Sequence, residues 1–218
     1  MEAERFGDLM RARFRPARRA ALLEAAGASL ARLHRSAPGA PLAFGGWPAD
    51  ALLKTLARAG RPPWPGFAAL VGRACGKLHE ARAEPLPAGP GHGDLHAENL
   101  LVLAGGALRM VDFAGDETRP ALADVAQLLV TAAARSPRFP PRRRGRFGLA
   151  SADEAAFFAG YGALPAPPPL VALHILRVAL AQALLTADPE REGAASRGRR
   201  RRLARLRSLA EAAAARIG

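Results

Sequence analysis

Between residues 91 and 113 the chain passes from a cluster of reactive side chains into two short apolar runs, and the lengths of those runs leave it few ways to fold. The cluster is Gly91-His92-Gly93-Asp94-Leu95-His96-Ala97-Glu98-Asn99. Next come Leu100-Leu101-Val102-Leu103, Ala104-Gly105-Gly106-Ala107 and Leu108-Arg109-Met110-Val111, which read as strand, Gly-Gly turn and strand. A hairpin this short returns the chain on itself. Asn99 and Asp112 are therefore expected to converge although 13 positions separate them. Asn99 is also the sole asparagine in the sequence.

Two carboxylates and an amide gathered in this way suit phosphoryl transfer. That reaction needs a group to accept the proton of an attacking hydroxyl, and divalent cations to bridge the donor's phosphates. Asp94 fits the first task. Asn99 and Asp112 offer a neutral and a charged oxygen to Mg²⁺, a hard ion that prefers oxygen. The local charge agrees. From Gly91 to Gln127 the acids are Asp94, Glu98, Asp112, Asp116, Glu117 and Asp124, against only Arg109 and Arg119, in a chain of net charge +13. An acidic island of this kind is what a cation site requires; a solvated, turn-rich surface is the bland alternative. His92 and His96 flank Asp94, so a metallohydrolase site is a further reading. Zinc would need another His, Cys or acid at ligand spacing, and His34, His79 and His174 read as isolated helix-end or core residues.

His92-Gly93-Asp94-Leu95-His96-Ala97-Glu98-Asn99, followed by Met110-Val111-Asp112-Phe113, resembles the loop and strand of the aminoglycoside phosphotransferase and choline kinase family. Leu30-Ala31-Arg32-Leu33-His34 is similar to the end of that family's post-hinge helix. Leu122-Ala123-Asp124-Val125-Ala126 is similar to a later helix start, and Phe157-Phe158-Ala159-Gly160-Tyr161-Gly162 to a helix beyond it. The likeness runs from about residue 15 to about 185, and the catalytic stretch is its specific part. It implies a mainly α (α+β) fold, the helical C-terminal lobe of a protein-kinase-like enzyme with a short β-hairpin. It also implies Asp94 as catalytic base, Asn99 and Asp112 as Mg²⁺ ligands, His92 and His96 as loop-positioning residues, and a structural Asp124. The partners it implies are ATP or GTP as phosphoryl donor and a small-molecule hydroxyl as acceptor. A whole kinase of this type carries a β-rich N-terminal lobe with a phosphate-binding lysine. Here the chain starts close to the hinge, and its two lysines, Lys54 and Lys77, lie in helical stretches. Gly45-Gly46-Trp47 has no strand before it and makes a poor phosphate loop. A catalytically inactive lobe acting as a binding module is the competing expectation, and a start codon misplaced downstream of the lobe is a third.

Residues 1–218 read as a single domain with a basic C-terminal helix from about 188. Helices are expected over Pro16–His34, with Leu22, Ala26, Leu30 and Leu33 on one stripe, and over Ala49–Ala59, Phe67–Arg82, Pro120–Ala134, Leu170–Thr186 and Arg199–Ile217. Ser151-Ala152-Asp153-Glu154 reads as a capping box opening a helix to Tyr161. Pro38–Pro48 and Ser136–Gly148 read as loops, with Trp47 and Trp64 as anchors beside glycine and proline. Cys75 alone permits no internal disulfide and fits a reducing cytoplasm. No apolar run is expected to reach the length of a membrane span. Of the 32 basic residues 30 are arginine. Two clusters stand out: Arg138, Arg142, Arg143, Arg144 and Arg146, and Arg197 with Arg199 to Arg202, Arg205 and Arg207. They read as a solvated loop and helix face, the helix having Leu203, Leu206, Ala210, Ala213 and Ile217 on its opposite side. Contact with phosphate-rich partners is the functional alternative. Phe139 and Phe147 are the only aromatics in these clusters, which argues against nucleic acid.

Overall fold

The computed structural model describes residues 3–11, 16–45, 47–59, 62–114, 118–136, 141, 143–187 and 197–218. Among the described residues the fold is mainly helical, with three small antiparallel sheets. A short strand β1 (Glu4–Arg5) leads into α1 (Phe6–Arg11) and then the long α2 (Pro16–Arg35). Strand β2 (Leu42–Ala43) precedes α3 (Trp47–Ala59) and α4 (Phe67–Glu80). Strands β3 (Pro85–Leu86), β4 (Ala88–Pro90), β5 (Leu100–Val102), β6 (Leu108–Met110) and β7 (Thr118–Pro120) carry the chain to α5 (Ala121–Arg135). Helices α6 (Ser151–Tyr161), α7 (Pro168–Ala187) and α8 (Arg197–Ala214) complete it.

The expected hairpin forms. β5 and β6 pair antiparallel with Leu100 opposite Met110 and Val102 opposite Leu108, and β1 adds to the free edge of β5. Its tip is a single 3-10 turn over Ala104–Gly106, closed by the Leu103 N–H on the Ala107 carbonyl at 2.8 Å. On the other side of the loop, β4 pairs with β7 through Gly89 opposite Arg119. Pairing of β4 before it and of the hairpin after it thus brackets the loop over residues 91–99, which limits how far that loop can shift.

Helices α2 and α6 cross with their backbones in contact. A methyl at Gly27 would overlap the Phe157 carbonyl, and one at Gly160 would overlap the Glu24 carbonyl, so both positions require hydrogen in place of a side chain. This crossing brings the ends of the two helices, His34 and Tyr161, together. The α2 stripe is buried at Leu22, Ala26 and Leu30 and half-buried at Leu33. On α8, Leu206, Ala210, Ala213 and the following Ile217 are buried as the spacing implies. Burying one such leucine contributes about 1.5–3 kcal/mol.

Helix α7 departs from expectation. Pro168–Ala187 is 20 residues long with a mean hydropathy of 1.8, enough by length and composition to cross a bilayer, which corrects the reading that no run approaches that length. Its faces are packed by α3, α4, α5 and α8, and 67% of the apolar window is buried, as in the central helix of a protein core. The capping box also fails. Ser151 lies inside α6, and the N-cap position falls to Ala150, which has no capping side chain. Glu154 instead accepts the Phe147 N–H at 3.0 Å, because the preceding loop folds back over the helix start. The stretch read as the loop Pro38–Pro48 contains β2, and α3 begins at Trp47, two residues early. Trp64 is buried edge-to-face on Phe67.

Candidate active site

The loop over residues 91–99, the candidate catalytic loop, hangs on Asp124, at the start of α5. One carboxylate oxygen accepts the His92 N–H at 2.6 Å and the other accepts the Gly93 N–H at 3.1 Å. Two backbone donors on one carboxylate fix the peptide just before Asp94. Gly93 has φ +81°, and a methyl there would press on the Arg119 guanidinium and the Ala114 carbonyl. Only glycine meets both demands without strain.

Asp124 is itself held from behind. His34 Nε2 lies 3.3 Å from Asp124 Oδ2, and His34 Nδ1 lies 2.8 Å from the Tyr161 hydroxyl. All three side chains are buried. A carboxylate only accepts, so Nε2 carries the imidazole proton and Nδ1 accepts from the tyrosine. The Tyr161 pKa is pushed up to about 12, chiefly by burial, with Asp124 adding to the rise and Arg35 opposing it. The hydroxyl therefore remains a donor at neutral pH. His34 and Tyr161 are the functional residues that sequence reasoning missed. His34 read as an isolated helix-end or core histidine, yet it is a link between α6 and the catalytic loop. The signal available was that His34, Asp124 and Tyr161 each stand at a helix terminus, where ends meet.

His92 ties the loop to the hairpin. Its Nε2 donates to the Val111 carbonyl at 2.7 Å, its Nδ1 faces the Asp94 N–H at 3.4 Å, and its ring stacks on Phe113 with centroids 4.4 Å apart. With both nitrogens turned to backbone and the residue fully buried, His92 has no lone pair left for a metal. The Val111 N–H donates to the Asn99 carbonyl at 3.0 Å, and the Ala114 N–H donates to the His92 carbonyl at 2.8 Å. These bonds flank Asp112 on both sides and hold it at φ +60°, unusual for a residue with a side chain. A strained residue persists where its neighbours over-determine it, and such positions cluster at functional sites.

Asn99 is buried, and its Nδ2 donates to the Asp94 carbonyl at 2.9 Å, so the amide oxygen is the atom left to meet an ion. Asp112 is exposed, next in sequence to the residue paired with Asn99. The Asp94 side chain is 52% exposed, with His96 Nε2 3.7 Å away. His96 Nδ1 is 3.5 Å from Glu98, which pairs with Arg135 near the end of α5. The Ala97 N–H donates to Thr131 Oγ1 at 3.0 Å, and the Ala97 carbonyl accepts the Gly7 N–H at 2.9 Å, so α5 and α1 grip the loop from below. Asp116 and Glu117 of the acidic island lie outside the described residues. The candidate ligands Asn99 and Asp112, with Asp94, offer oxygen only, and the His96 imidazole stands beside Asp94. Among the described residues, no three His, Cys, Asp or Glu side chains assemble as metal ligands. That set fits Mg²⁺, which takes one or two protein oxygens and completes its shell with phosphate and water, better than zinc. Lys54 lies on α3, and Lys77 on α4 pairs with Glu80 at 2.9 Å.

A helical lobe whose catalytic loop and hairpin are locked in this way defines the class of kinase-like phosphotransferases. The chain belongs to the phosphotransferase enzyme family, whose model matches residues 7–161. No curated protein sequence matches it. Its fold is similar to that of a choline/ethanolamine kinase family protein from Mesorhizobium loti, with a TM-score of 0.62 and 23% identity over 99% of this chain and 71% of that one. It is also similar to the choline kinase LicA from Streptococcus pneumoniae, with a TM-score of 0.60 and 17% identity over 90% of this chain and 66% of that one. A structure of LicA in complex with AMP aligns with a TM-score of 0.57 at 17% identity, over 85% of this chain and 61% of that one. The protein-kinase-like fold expected from the motifs is the fold observed, and the family is one of phosphotransferases.

Proposed function

We propose that this chain transfers the γ-phosphoryl group of ATP or GTP to a hydroxyl of a small molecule, with Mg²⁺ as its metal, in the cytoplasm. The reading rests on one observation above the rest. Val111 is bonded through its N–H to Asn99 and through its carbonyl to His92, so Asn99, Asp112 and the Asp94 loop share one rim. Asp94 would accept the proton of the acceptor hydroxyl as its oxygen bonds to the γ-phosphorus and the bond to the β-phosphate oxygen breaks. Asn99 and Asp112 would hold the metal, and Mg²⁺, when bound, supplies charge neutralisation at the phosphate oxygens. Asp124, through the His92 and Gly93 N–H groups, keeps the Asp94 backbone from drifting. Positioning of this kind governs rate in phosphoryl transfer, where the protein does little covalent chemistry. The cytoplasmic assignment is supported by Cys75, the only cysteine.

The test is a Mg·ATP titration by calorimetry, followed by phosphoryl transfer to a panel of sugars and amino alcohols. Asp94→Ala should leave nucleotide binding in place and reduce turnover by about 10²–10⁴-fold. Asp112→Ala should remove the magnesium dependence of nucleotide binding. Binding without turnover in the unmutated chain would make it a binding module, and activity retained in Asp94→Ala would reject the assigned base.

A further inference from the structure

Where residues 143–150 cross α8, two half-buried guanidinium groups, those of Arg144 and Arg205, form no ion pair with a carboxylate among the described residues. Arg144 Nη1 donates to the Gly148 carbonyl at 2.6 Å, and its Nη2 donates to the Ser208 hydroxyl. Arg205 Nη1 donates to the Ala134 carbonyl at 3.1 Å, and its Nε is buried with no acceptor at all. Both line a half-open cleft of about 30 Å³, together with Ser136 and Asp153. That volume corresponds to roughly two or three water positions.

The neighbouring acids are already committed. Asp153 is gripped by both ends of the Arg19 guanidinium, at 2.8 and 2.7 Å. Glu211 pairs with Arg207 at 2.8 Å. Glu154 accepts the Phe147 N–H, and burial pushes its pKa up, which weakens it as a counter-charge. Like charges outnumber opposite ones around the cleft. Burial lowers the Arg144 pKa and Arg216 lowers it further, with Glu211 opposing them, while burial and then Arg201 lower that of Arg205. Arg143 and Arg146 are exposed on the loop, and Arg197, Arg200 and Arg201 on the helix, so the approach is strongly positive. Arg138 and Arg142 lie outside the described residues. Reading these clusters as a solvated loop and helix face therefore holds for the exposed arginines and fails for the half-buried Arg144, Arg199, Arg202 and Arg205.

We propose that this cleft is a binding site for a phosphate group, held between the guanidinium groups of Arg144 and Arg205 with the Ser136 hydroxyl as a further donor. Two forks of fixed N–H geometry match the oxygens of a tetrahedral oxyanion, and a divalent charge offsets both cations. The site lies one residue from the active-site scaffold. Ala134, which accepts from Arg205, precedes Arg135, which pairs with Glu98 of the catalytic loop.

Inorganic phosphate titrated into the full chain with EDTA and no magnesium tests the cleft apart from any nucleotide site. Saturable heat is expected, absent with sodium chloride at equal ionic strength. Arg144→Gln and Arg205→Gln should each weaken phosphate binding tenfold or more, and Arg200→Gln, on the solvent face, by less than twofold. Should Arg205→Gln fail to fold, Arg205→Lys keeps a cation near Ala134 without the fork and should still bind more weakly. Flotation on phosphatidylcholine vesicles containing phosphatidic acid, reversed by free phosphate, would assign the group to a lipid headgroup. A chain that stays with the soluble fraction would assign it to a soluble phosphate. No saturable heat, or equal binding in wild type and both glutamine variants, overturns the proposal.

Discussion

Beneath the loop over residues 91–99 and around α7 and α8 the chain withdraws polar side chains from water, fully for His34, Asp124, Tyr161 and His174 and partly for Arg144 and Arg205, and settles them in opposite ways. Under the loop, the Asp124 carboxylate takes two backbone N–H groups and one imidazole N–H, and that imidazole takes a tyrosine hydroxyl. Each donor there has an acceptor. On the other side, His174 of α7 is wholly buried against the edge of Phe44, with its Nδ1 unpartnered. Arg144 and Arg205 reach only carbonyls and a serine hydroxyl. A buried carboxylate can organise several donors around itself, because its oxygens offer about four lone-pair sites. A neutral imidazole has one donor and one acceptor, and a guanidinium, with five donors, meets only neutral oxygens at Arg144 and Arg205. They stay neutral, as burial forces on His174, or remain cations in want of a counter-ion.

The sharpest way to break this contrast is to remove its organising group. Asp124→Ala would leave two buried N–H groups and a buried imidazole without their acceptor, and the expected loss is about 3–5 kcal/mol of folding stability. Urea denaturation measures it; a loss under 1 kcal/mol would show that the network does not hold the loop. Tyr161→Phe removes one hydroxyl from the far end of the chain. It should cost about 1–3 kcal/mol, since His34 Nδ1 then stays buried and unbonded. Because Tyr161 touches no reacting group, turnover should fall while the nucleotide KM holds. A change confined to stability would mark the tyrosine as a packing residue only.

The hairpin was legible because its information is local: apolar runs, a Gly-Gly turn and polar flanks state the reversal within 14 residues. Helix spans along α2, α5 and α8 were legible from the 3.6-residue stripe. The network behind Asp124 was not. Its members come from α2, α5 and α6, and they meet through the Gly27–Gly160 crossing, a contact of backbones that leaves no side-chain pattern to read. The capping box failed for a related reason. Its local pattern was complete, but the loop over residues 145–150 supplied Glu154 with a tertiary donor, and tertiary contacts override local capping. The half-buried arginines were not legible, because composition does not reveal which face of a helix a folded-back loop will cover.

His174 offers the gentlest probe, and it distinguishes a group kept neutral from one that is paired. Its pKa lies well below the ordinary 6.5, mainly through burial and further through Arg177, so the folded chain resists protonation that the unfolded chain accepts. The folded pKa is the depressed one. The stability linked to it is therefore fully present above the unfolded pKa near 6.5 and drains away as the pH falls toward the folded value. Between pH 6.5 and 5.5 the expected loss is roughly 1 kcal/mol. His174→Leu removes this titration, so the difference between wild type and variant, followed by urea denaturation across that window, should tilt by the same amount. A flat difference for His174→Leu would mean that α7 opens to water before it unfolds, and the distinction between the two buried layers would then lie in their dynamics and not in their pairing.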